Sequence, residues 1–171
     1  MNFTRLEIPE VILCEPKILS DDRGYFSETF RQDKLEKFLG FSINFCQENE
    51  SKSSFGVLRG LHYQIAPYAQ TKLVRVLQGA VLDVSVDLRK DSPTFGMHVA
   101  IELSEENKKQ ILIPKGFAHG FIVLSKEAVL AYKVDNYYCQ ASERGILYDD
   151  KSLAIDWKLN PKDIKVSAKD A

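Results

Sequence analysis

The sequence predicts a mainly β protein, folded as a sandwich, jelly roll or barrel with a few short peripheral helices. Short β-rich segments recur at a spacing of about 8–12 residues, with turn-forming residues between them. A length of 171 residues suits one domain with one core. The chain shows no repeat at a solenoid period and no low-complexity linker. We therefore expect residues 1–171 to form a single domain.

The first third of the chain is predicted to alternate strands, a turn and a helix. Leu35 and Phe38 lie one helical turn apart and Gly40 follows them, which predicts a helix over residues 33–39. β-forming residues and turn residues around it predict strands at 11–16, 25–30 and 41–47, and a turn at 21–24.

The strand pattern becomes denser after residue 72. Turn residues separate the apolar segments, and the part from residue 149 onward is more polar. We expect that C-terminal part to wrap the barrel, with a short helix. The predicted strands are 72–77, 81–88, 99–103, 110–114, 117–124 and 128–134.

The composition excludes several classes of partner. The chain carries 23 basic and 24 acidic residues, so it offers no basic field for non-specific nucleic-acid binding. No apolar run approaches the ~18 residues of a membrane span, and the N-terminus lacks the apolar core of a secretory signal. The three cysteines form no CxxC pair, which is typical of reduced thiols. We expect a cytoplasmic protein that binds neither nucleic acid nor membrane.

The most informative segment is Arg-Gly-Leu-His-Tyr-Gln at 59–64, with Lys72 ten residues after His62. An imidazole with a pKa near ~6.5 is available as a neutral base at cellular pH. A base between two cations suits attack on a proton of an anionic, carbonyl-bearing substrate. Arg59 would point away from His62 on an ideal strand, so a bulge or turn at Gly60 is needed to bring them together. A histidine that only hydrogen-bonds within a strand is the simpler alternative.

A second segment, residues 113–121, places His119 three residues after a Pro-x-Gly turn. It resembles the second motif of the cupin superfamily of small jelly-roll barrels, in which this histidine is a metal ligand. The first cupin motif supplies His-x-His, whereas Gln64 stands here where the second of those histidines would be, after His62. Two histidines without a third ligand make a poor transition-metal site. We expect a cupin-like jelly-roll barrel without a metal.

Ten ordered segments together resemble the dTDP-4-dehydrorhamnose 3,5-epimerase family, from about residue 7 to the C-terminus. They include residues 59–64, Lys-Leu-Val-Arg at 72–75, Ser-Pro-Thr-Phe-Gly at 92–96, residues 113–121 and the tyrosine-rich 132–138. The resemblance implies an isomerase of dTDP-rhamnose biosynthesis that needs no cofactor. Its substrate would be dTDP-4-dehydro-6-deoxy-D-glucose, inverted at C3 and C5 to give dTDP-4-dehydro-L-rhamnose.

The implied chemistry assigns four catalytic residues. The 4-keto group acidifies the hydrogens on both neighbouring carbons, and removal of one moves negative charge onto O4 as an enolate. By the resemblance, His62 is the base, Tyr132 returns a proton on the opposite face and Lys72 stabilises the enolate. Asp170 matches the carboxylate that orients His62.

The resemblance also implies the substrate-binding residues. Arg23 and Arg59 match diphosphate positions, since a guanidinium suits phosphate oxygens. Asp83 either pairs with Lys72 or faces solvent, and the sequence leaves both open. The further positions expected to contact the nucleotide sugar are Glu28, Gln47, Asn49, Lys72, His119, Tyr138, Glu143 and Lys169. One departure from the family pattern is Glu48 and Glu50 around Asn49, where an Asp and often a His are expected.

The resemblance further implies a homodimer with exchanged N-terminal strands, in which Arg23 and Glu28 of one subunit line the other subunit's site. Exchange would also cover exposed sheet edges. Three alternatives remain open. The first is a related enzyme, either a mono-epimerase acting at C3 or C5 or a 3,4-ketoisomerase. The second is a non-catalytic sugar-nucleotide-binding cupin. The third is a metal-dependent cupin oxygenase, against which Gln64 argues.

Overall fold

A computed structural model describes all residues, 1–171, and contains thirteen strands, one α-helix and two 3₁₀ turns. The helix α1 is Gln32–Leu39, and the 3₁₀ turns are Gln140–Ser142 and Pro161–Asp163. No helix is long and apolar enough to cross a membrane. The strands are β1 (Asn2–Arg5), β2 (Ile12–Glu15), β3 (Ile18–Asp21), β4 (Gly24–Ser27), β5 (Gln47–Ser54), β6 (Leu58–Gln64), β7 (Lys72–Gln78), β8 (Ala80–Asp87), β9 (His98–Ser104), β10 (Gln110–Ile113), β11 (Phe117–Val123), β12 (Glu127–Val134) and β13 (Glu143–Gly145).

Two antiparallel sheets face each other and form the barrel. The six-stranded sheet has the order β1-β2-β10-β7-β12-β5, and the five-stranded sheet has the order β13-β6-β11-β8-β9. The largest apolar cluster combines inward-facing side chains of both sheets, such as Val74 on β7 and Phe121 on β11. The predicted mainly β architecture is therefore confirmed, and the core lies between the sheets.

The helix prediction is confirmed, but the strand predicted at 41–47 is wrong. Gly40 ends α1 in the left-handed conformation, with φ of 83°. The next regular strand, β5, starts only at Gln47. Ile43 bonds side chains of α1 instead of a strand: its amide donates to Glu36 Oε1 at 3.0 Å, and its carbonyl accepts from Gln32 Nε2 at 3.2 Å. Ile43 and Phe45 pack together with α1 against side chains of the six-stranded sheet.

The C-terminal part covers the outer face of the five-stranded sheet, as predicted. Trp157 is buried there, and its indole Nε1 donates to the Tyr148 carbonyl at 2.9 Å. An isolated bridge joins Val57 and Lys165. The chain thereby returns its last residues to the end of the barrel where β6 carries His62.

The hairpin of β3 and β4 belongs to neither sheet of the barrel. These two strands pair only with each other. The predicted turn at 21–24 is confirmed between them, while the strand expected at 25–30 ends at Ser27. Four large apolar side chains of the hairpin are exposed, namely Ile18, Leu19, Tyr25 and Phe26.

Candidate active site

A cavity of about 320 Å³ opens between the two sheets. Strands β5, β6, β7, β11, β12 and β13 and the C-terminal tail line it. It collects all four residues predicted to be catalytic and five further residues predicted to bind substrate. These are His62, Tyr132, Lys72 and Asp170, with Arg59, His119, Tyr138, Glu143 and Lys169.

The distortion predicted at Gly60 is present. Gly60 has φ of +125°, and the pairing of β6 with β11 shifts register beside it. A Cβ atom on Gly60 would lie 2.8 Å from the His119 carbonyl oxygen, so only glycine allows the two strands to approach this closely. As a result, Arg59 and His62 both line the cavity instead of pointing to opposite faces of β6.

His62 is held by the penultimate residue of the chain. Its Nε2 lies 2.6 Å from Asp170 Oδ1. A proton kept on Nε2 by the carboxylate leaves the lone pair on Nδ1, which has no partner within the chain, as the proton acceptor. Burial lowers the pKa of His62, and the charge of Asp170 opposes this shift. The imidazole is therefore neutral, as a base must be, at neutral pH.

The tail that carries Asp170 is ordered by a turn. The Ser167 hydroxyl donates to Asp170 Oδ2 at 3.1 Å, and the Asp170 amide donates to the Ser167 carbonyl at 3.0 Å. The Asp170 side chain is buried. Both oxygens of the Asp170 carboxylate therefore have partners, and these bonds fix the orientation of the carboxylate towards His62.

Lys72 and Tyr132 supply a cation and a hydroxyl to the same cavity. The Lys72 ammonium donates to the His62 carbonyl at 3.3 Å. Burial lowers the pKa of Lys72 to about 8, against the opposing charges of Asp83 and Glu143, so the amine is still mostly protonated at neutral pH. Burial raises the pKa of Tyr132, which keeps its phenol protonated.

Three of the predicted binding residues form one network at the rim. Glu143 accepts the Tyr138 hydroxyl at 2.9 Å on one oxygen and the Lys169 ammonium at 2.7 Å on the other. The Tyr138 amide donates to Gln47 Oε1 at 3.1 Å. The Gln47 side-chain amide in turn donates to Asn49 Oδ1 at 2.8 Å. Asn49 is the residue paired with Tyr132 between β5 and β12. Gln47 and Asn49 thus border the cavity without lining it.

Arg23 and Glu28 do not line the cavity of their own chain. Arg23 lies at the tip of the β3–β4 hairpin, where its exposed guanidinium pairs with Asp21. Glu28 follows β4 and pairs with Lys34 at 2.8 Å. Neither residue is among those that line the cavity.

Two buried polar residues of the barrel have roles that the sequence did not reveal. The Gln64 amide donates to the Tyr68 and Tyr137 carbonyls at 2.6 and 3.2 Å and accepts from the Cys139 amide at 2.7 Å, so it joins two loops beside the cavity. Asp83 is fully buried, which rules out the solvent-facing alternative. It accepts from His119 Nε2 at 2.8 Å. Polar residues inside an apolar strand pattern are the one sequence signal that marks such positions.

The other cavity residues were not predicted to bind substrate. They are Glu50, Ser51, Tyr63, Gln70, Phe121, Leu130 and Ser167. No group of three or more His, Cys, Asp or Glu side chains in the chain is arranged to hold a metal ion.

The site contains a neutral imidazole, a protonated phenol and a half-buried ammonium around one cavity, which Arg59 also lines. Such a set performs proton transfer on an anionic substrate and stabilises negative charge that develops on an oxygen atom. The class that the fold and the site define is thus an acid–base isomerase built on a jelly-roll barrel.

Comparison with known proteins identifies the particular family. The family model for dTDP-4-dehydrorhamnose 3,5-epimerase matches residues 5–171, and the chain belongs to this family. A curated dTDP-4-dehydrorhamnose 3,5-epimerase from Shigella flexneri is 56% identical over 162 residues, which cover 94% of this chain and 90% of that protein.

Solved structures agree with this membership. The crystal structure of dTDP-4-dehydrorhamnose 3,5-epimerase from Elizabethkingia anophelis NUHP1 superposes with a TM-score of 0.96 at 48% identity, over 99% of this chain and 93% of that one. A 3,5-epimerase from Legionella pneumophila Philadelphia 1, solved with dTDP-4-keto-L-rhamnose, gives a TM-score of 0.94 at 51% identity, over 99% and 89% of the two chains. The predicted cupin-like jelly roll is confirmed by these similarities.

Proposed function

We propose that the protein converts dTDP-4-dehydro-6-deoxy-D-glucose into dTDP-4-dehydro-L-rhamnose by inverting C3 and C5, with His62 as base and Tyr132 as acid. The observation that carries the proposal is the single cavity in which the His62–Asp170 pair, Lys72 and Tyr132 meet. Membership of the 3,5-epimerase family supplies the substrate and the reaction.

The first step is removal of a proton from a carbon next to the 4-keto group. His62 accepts it on Nδ1, because Asp170 holds the other ring nitrogen. The imidazolium that forms is stabilised by the carboxylate at 2.6 Å. Negative charge moves onto O4, where the half-buried Lys72 ammonium stabilises it more strongly than it would in water.

The second step delivers a proton to the opposite face of the sugar ring. His62 lies on β6 in the five-stranded sheet, whereas Tyr132 lies on β12 in the six-stranded sheet. The two side chains thus approach the cavity from opposite walls, as inversion requires. The pKa of Tyr132, raised by burial, keeps its proton available for donation.

The rim binds the nucleotide portion of the substrate. Arg59 donates from Nε to Ser53 Oγ at 3.0 Å, which aims its guanidinium along the cavity wall for a diphosphate. Tyr138 offers an exposed ring for the base, next to the ion pair of Lys169 with Glu143. His119, on the floor of the cavity, contacts the sugar.

The β3–β4 hairpin supports a homodimer with exchanged N-terminal strands. Its apolar side chains are 42–68% exposed, a cost that a second subunit would remove. Exchange would carry Arg23 and Glu28 to the partner's cavity, where they would add a cation and a carboxylate for the nucleotide. The free cysteines fit the reducing cytoplasm, where we place the enzyme.

The proposal is tested by solvent deuterium incorporation. Purified protein in D2O should exchange hydrogen at both C3 and C5 of dTDP-4-dehydro-6-deoxy-D-glucose, measured by NMR and mass spectrometry. Exchange at one carbon only would select a mono-epimerase. Migration of the keto group from C4 to C3 would select the ketoisomerase. Folded protein that binds dTDP but exchanges neither carbon would select the non-catalytic sugar-nucleotide-binding cupin.

A further inference from the structure

Lys72 and Asp83 point into the barrel from facing sheets. Lys72 begins β7 in the six-stranded sheet, and Asp83 lies in the middle of β8 in the five-stranded sheet. Asp83 is paired with the apolar Phe121 on β11 and with the apolar Ile101 on β9. The Asp83 carboxylate is therefore placed in the core, with a relative exposure of 0%.

Only half of the Asp83 carboxylate has a partner within the chain. Oδ2 accepts from His119 Nε2 at 2.8 Å, while Oδ1 is buried and bonds nothing. An isolated buried carboxylate is strongly unfavourable unless a positive charge compensates it. His119 supplies a hydrogen bond to Oδ2 alone. The unpartnered Oδ1 therefore leaves the carboxylate open to a positively charged group within the barrel.

Lys72, conversely, has a positive charge without a directly bonded carboxylate. Its side chain is half-buried, and the one bond of its ammonium within the chain is to the neutral His62 carbonyl at 3.3 Å. Two acids act on its charge, Asp83 and then Glu143. Glu143 already bonds Lys169 and Tyr138, whereas Asp83 bonds no lysine or arginine and its Oδ1 has no partner. The titratable and charged groups that share the cavity with Lys72, together with Asp83 in the core, are Glu50, Arg59, His62, Tyr63, His119, Tyr132, Tyr138, Glu143, Lys169 and Asp170.

We propose that Asp83 is a positioning residue that keeps the Lys72 ammonium charged and directed at the oxygen where the enolate forms. The two groups form no direct ion pair, so Asp83 acts across the barrel interior, where low polarity makes charges interact over longer distances than in water. The role of Lys72 towards the enolate rests on the proposed function. The charge coupling of Lys72 and Asp83 does not.

The coupling has a definite sign. Lysine is charged below its pKa, and burial already lowers the pKa of Lys72 to about 8. Removing the negative charge of Asp83 lowers that pKa further, so the amine becomes neutral at pH values where the enzyme is otherwise active. Lowering the pH restores the positive charge of Lys72 in such a variant. At still lower pH, His62 becomes protonated and can no longer act as the base.

The direct experiment measures the Lys72 titration by NMR in protein labelled with ¹³C-lysine, with the signal assigned from Lys72→Arg. We expect Asp83→Asn to move the Lys72 midpoint down by about one pH unit or more, a tenfold change or larger. Ser85→Ala is the matched control, because Ser85 is buried two residues along β8 and its hydroxyl has no partner. It should leave the midpoint in place. An unchanged midpoint in folded Asp83→Asn overturns the proposal.

The second readout is the pH profile of deuterium exchange. Asp83→Asn should move the alkaline limb to lower pH, and the double variant Lys72→Arg/Asp83→Asn should regain an alkaline limb like that of Lys72→Arg alone, since arginine stays charged. A purely structural Asp83 would lower the rate by one factor at every pH, which contradicts the proposal. If the wild-type protein exchanges neither carbon, the proposed function fails, while the NMR titration still decides the coupling.

The wild-type protein provides a test that needs no variant to fold. In protein labelled with ¹³C at aspartate carboxyls, the Asp83 signal should shift with the same midpoint as the Lys72 side chain. An Asp83 signal that stays constant through the Lys72 titration contradicts the coupling.

Discussion

The two histidines of the cavity make the same bond in two different settings. His62 and His119 face each other across the β6–β11 pairing, and each uses Nε2 to meet a carboxylate, at 2.6 and 2.8 Å. Asp170 comes from the C-terminal tail, whereas Asp83 comes from the middle of β8. The His62 side chain is 27% exposed and that of His119 only 8%.

This difference in exposure indicates that the two His–Asp pairs have separate tasks. The accessible pair can take a proton from a substrate and pass it to solvent, so it suits acid–base chemistry. The buried pair, His119 and Asp83, is held in place by the surrounding strands. It therefore suits a role in which the fixed charge of the Asp83 carboxylate acts on Lys72. Variants of the two pairs should therefore fail in different ways.

The largest effect is expected from His62→Ala. Loss of the base should lower deuterium exchange at C3 and C5 by about 10³-fold, within the range measured for general bases. His98→Ala is the control, because His98 begins β9 and lies outside the cavity. Circular dichroism should show both variants folded. A rate for His62→Ala within tenfold of wild type would remove His62 from the base role.

Asp170→Asn should have a smaller effect, about 10–100-fold, since it acts through His62. The charge of Asp170 opposes the lowering of the His62 pKa, so its loss should move the acid limb of the rate profile to lower pH. Asp83→Asn is expected to move the alkaline limb instead. If Asp170→Asn and Asp83→Asn moved the same limb of the pH–rate profile, the two His–Asp pairs would not have separate tasks.

The wild-type pH profile should be bell-shaped. The acid limb belongs to His62, whose pKa lies below the usual 6.5 because of burial, so exchange should fall only at more acidic pH. The alkaline limb belongs to Lys72, with a pKa of about 8. Exchange rates from pH 5 to 10 measure both limbs. An acid limb above pH 6.5 would exclude His62 as its origin.

Ser167→Ala should give the smallest effect. Its hydroxyl bonds Asp170 Oδ2 at 3.1 Å, a contact worth about 1 kcal/mol, or roughly fivefold in rate if all of it orients the carboxylate. Steady-state kinetics should show this loss mainly in kcat. A loss larger than that of Asp170→Asn would mean that Ser167 touches the substrate itself.

The sequence predicted the elements of the site that depend on local pattern. The need for a distortion at Gly60 follows from the odd spacing of Arg59 and His62, and the structure has it. The helix was marked by Leu35, Phe38 and the closing glycine. Such signals are local, because period and turn chemistry act over a few residues.

Features that depend on register between distant strands could not be predicted. Whether Asp83 faces the core or solvent is decided by its pairing with β9 and β11, and nothing nearby in the sequence reveals that pairing. The segment at 41–46 has a strand-like composition, yet Ile43 is bound by side chains of α1. Tertiary contacts override local propensity at both places.

The central claim, a base on one wall and an acid on the other, is tested most directly by Tyr132→Phe. His62 remains in this variant, so hydrogen at C3 and C5 should still exchange with D2O, while inversion to dTDP-4-dehydro-L-rhamnose should fall by about 10²–10⁴-fold. NMR of one reaction mixture measures both rates. Exchange and inversion lost together, or both retained, would contradict the account.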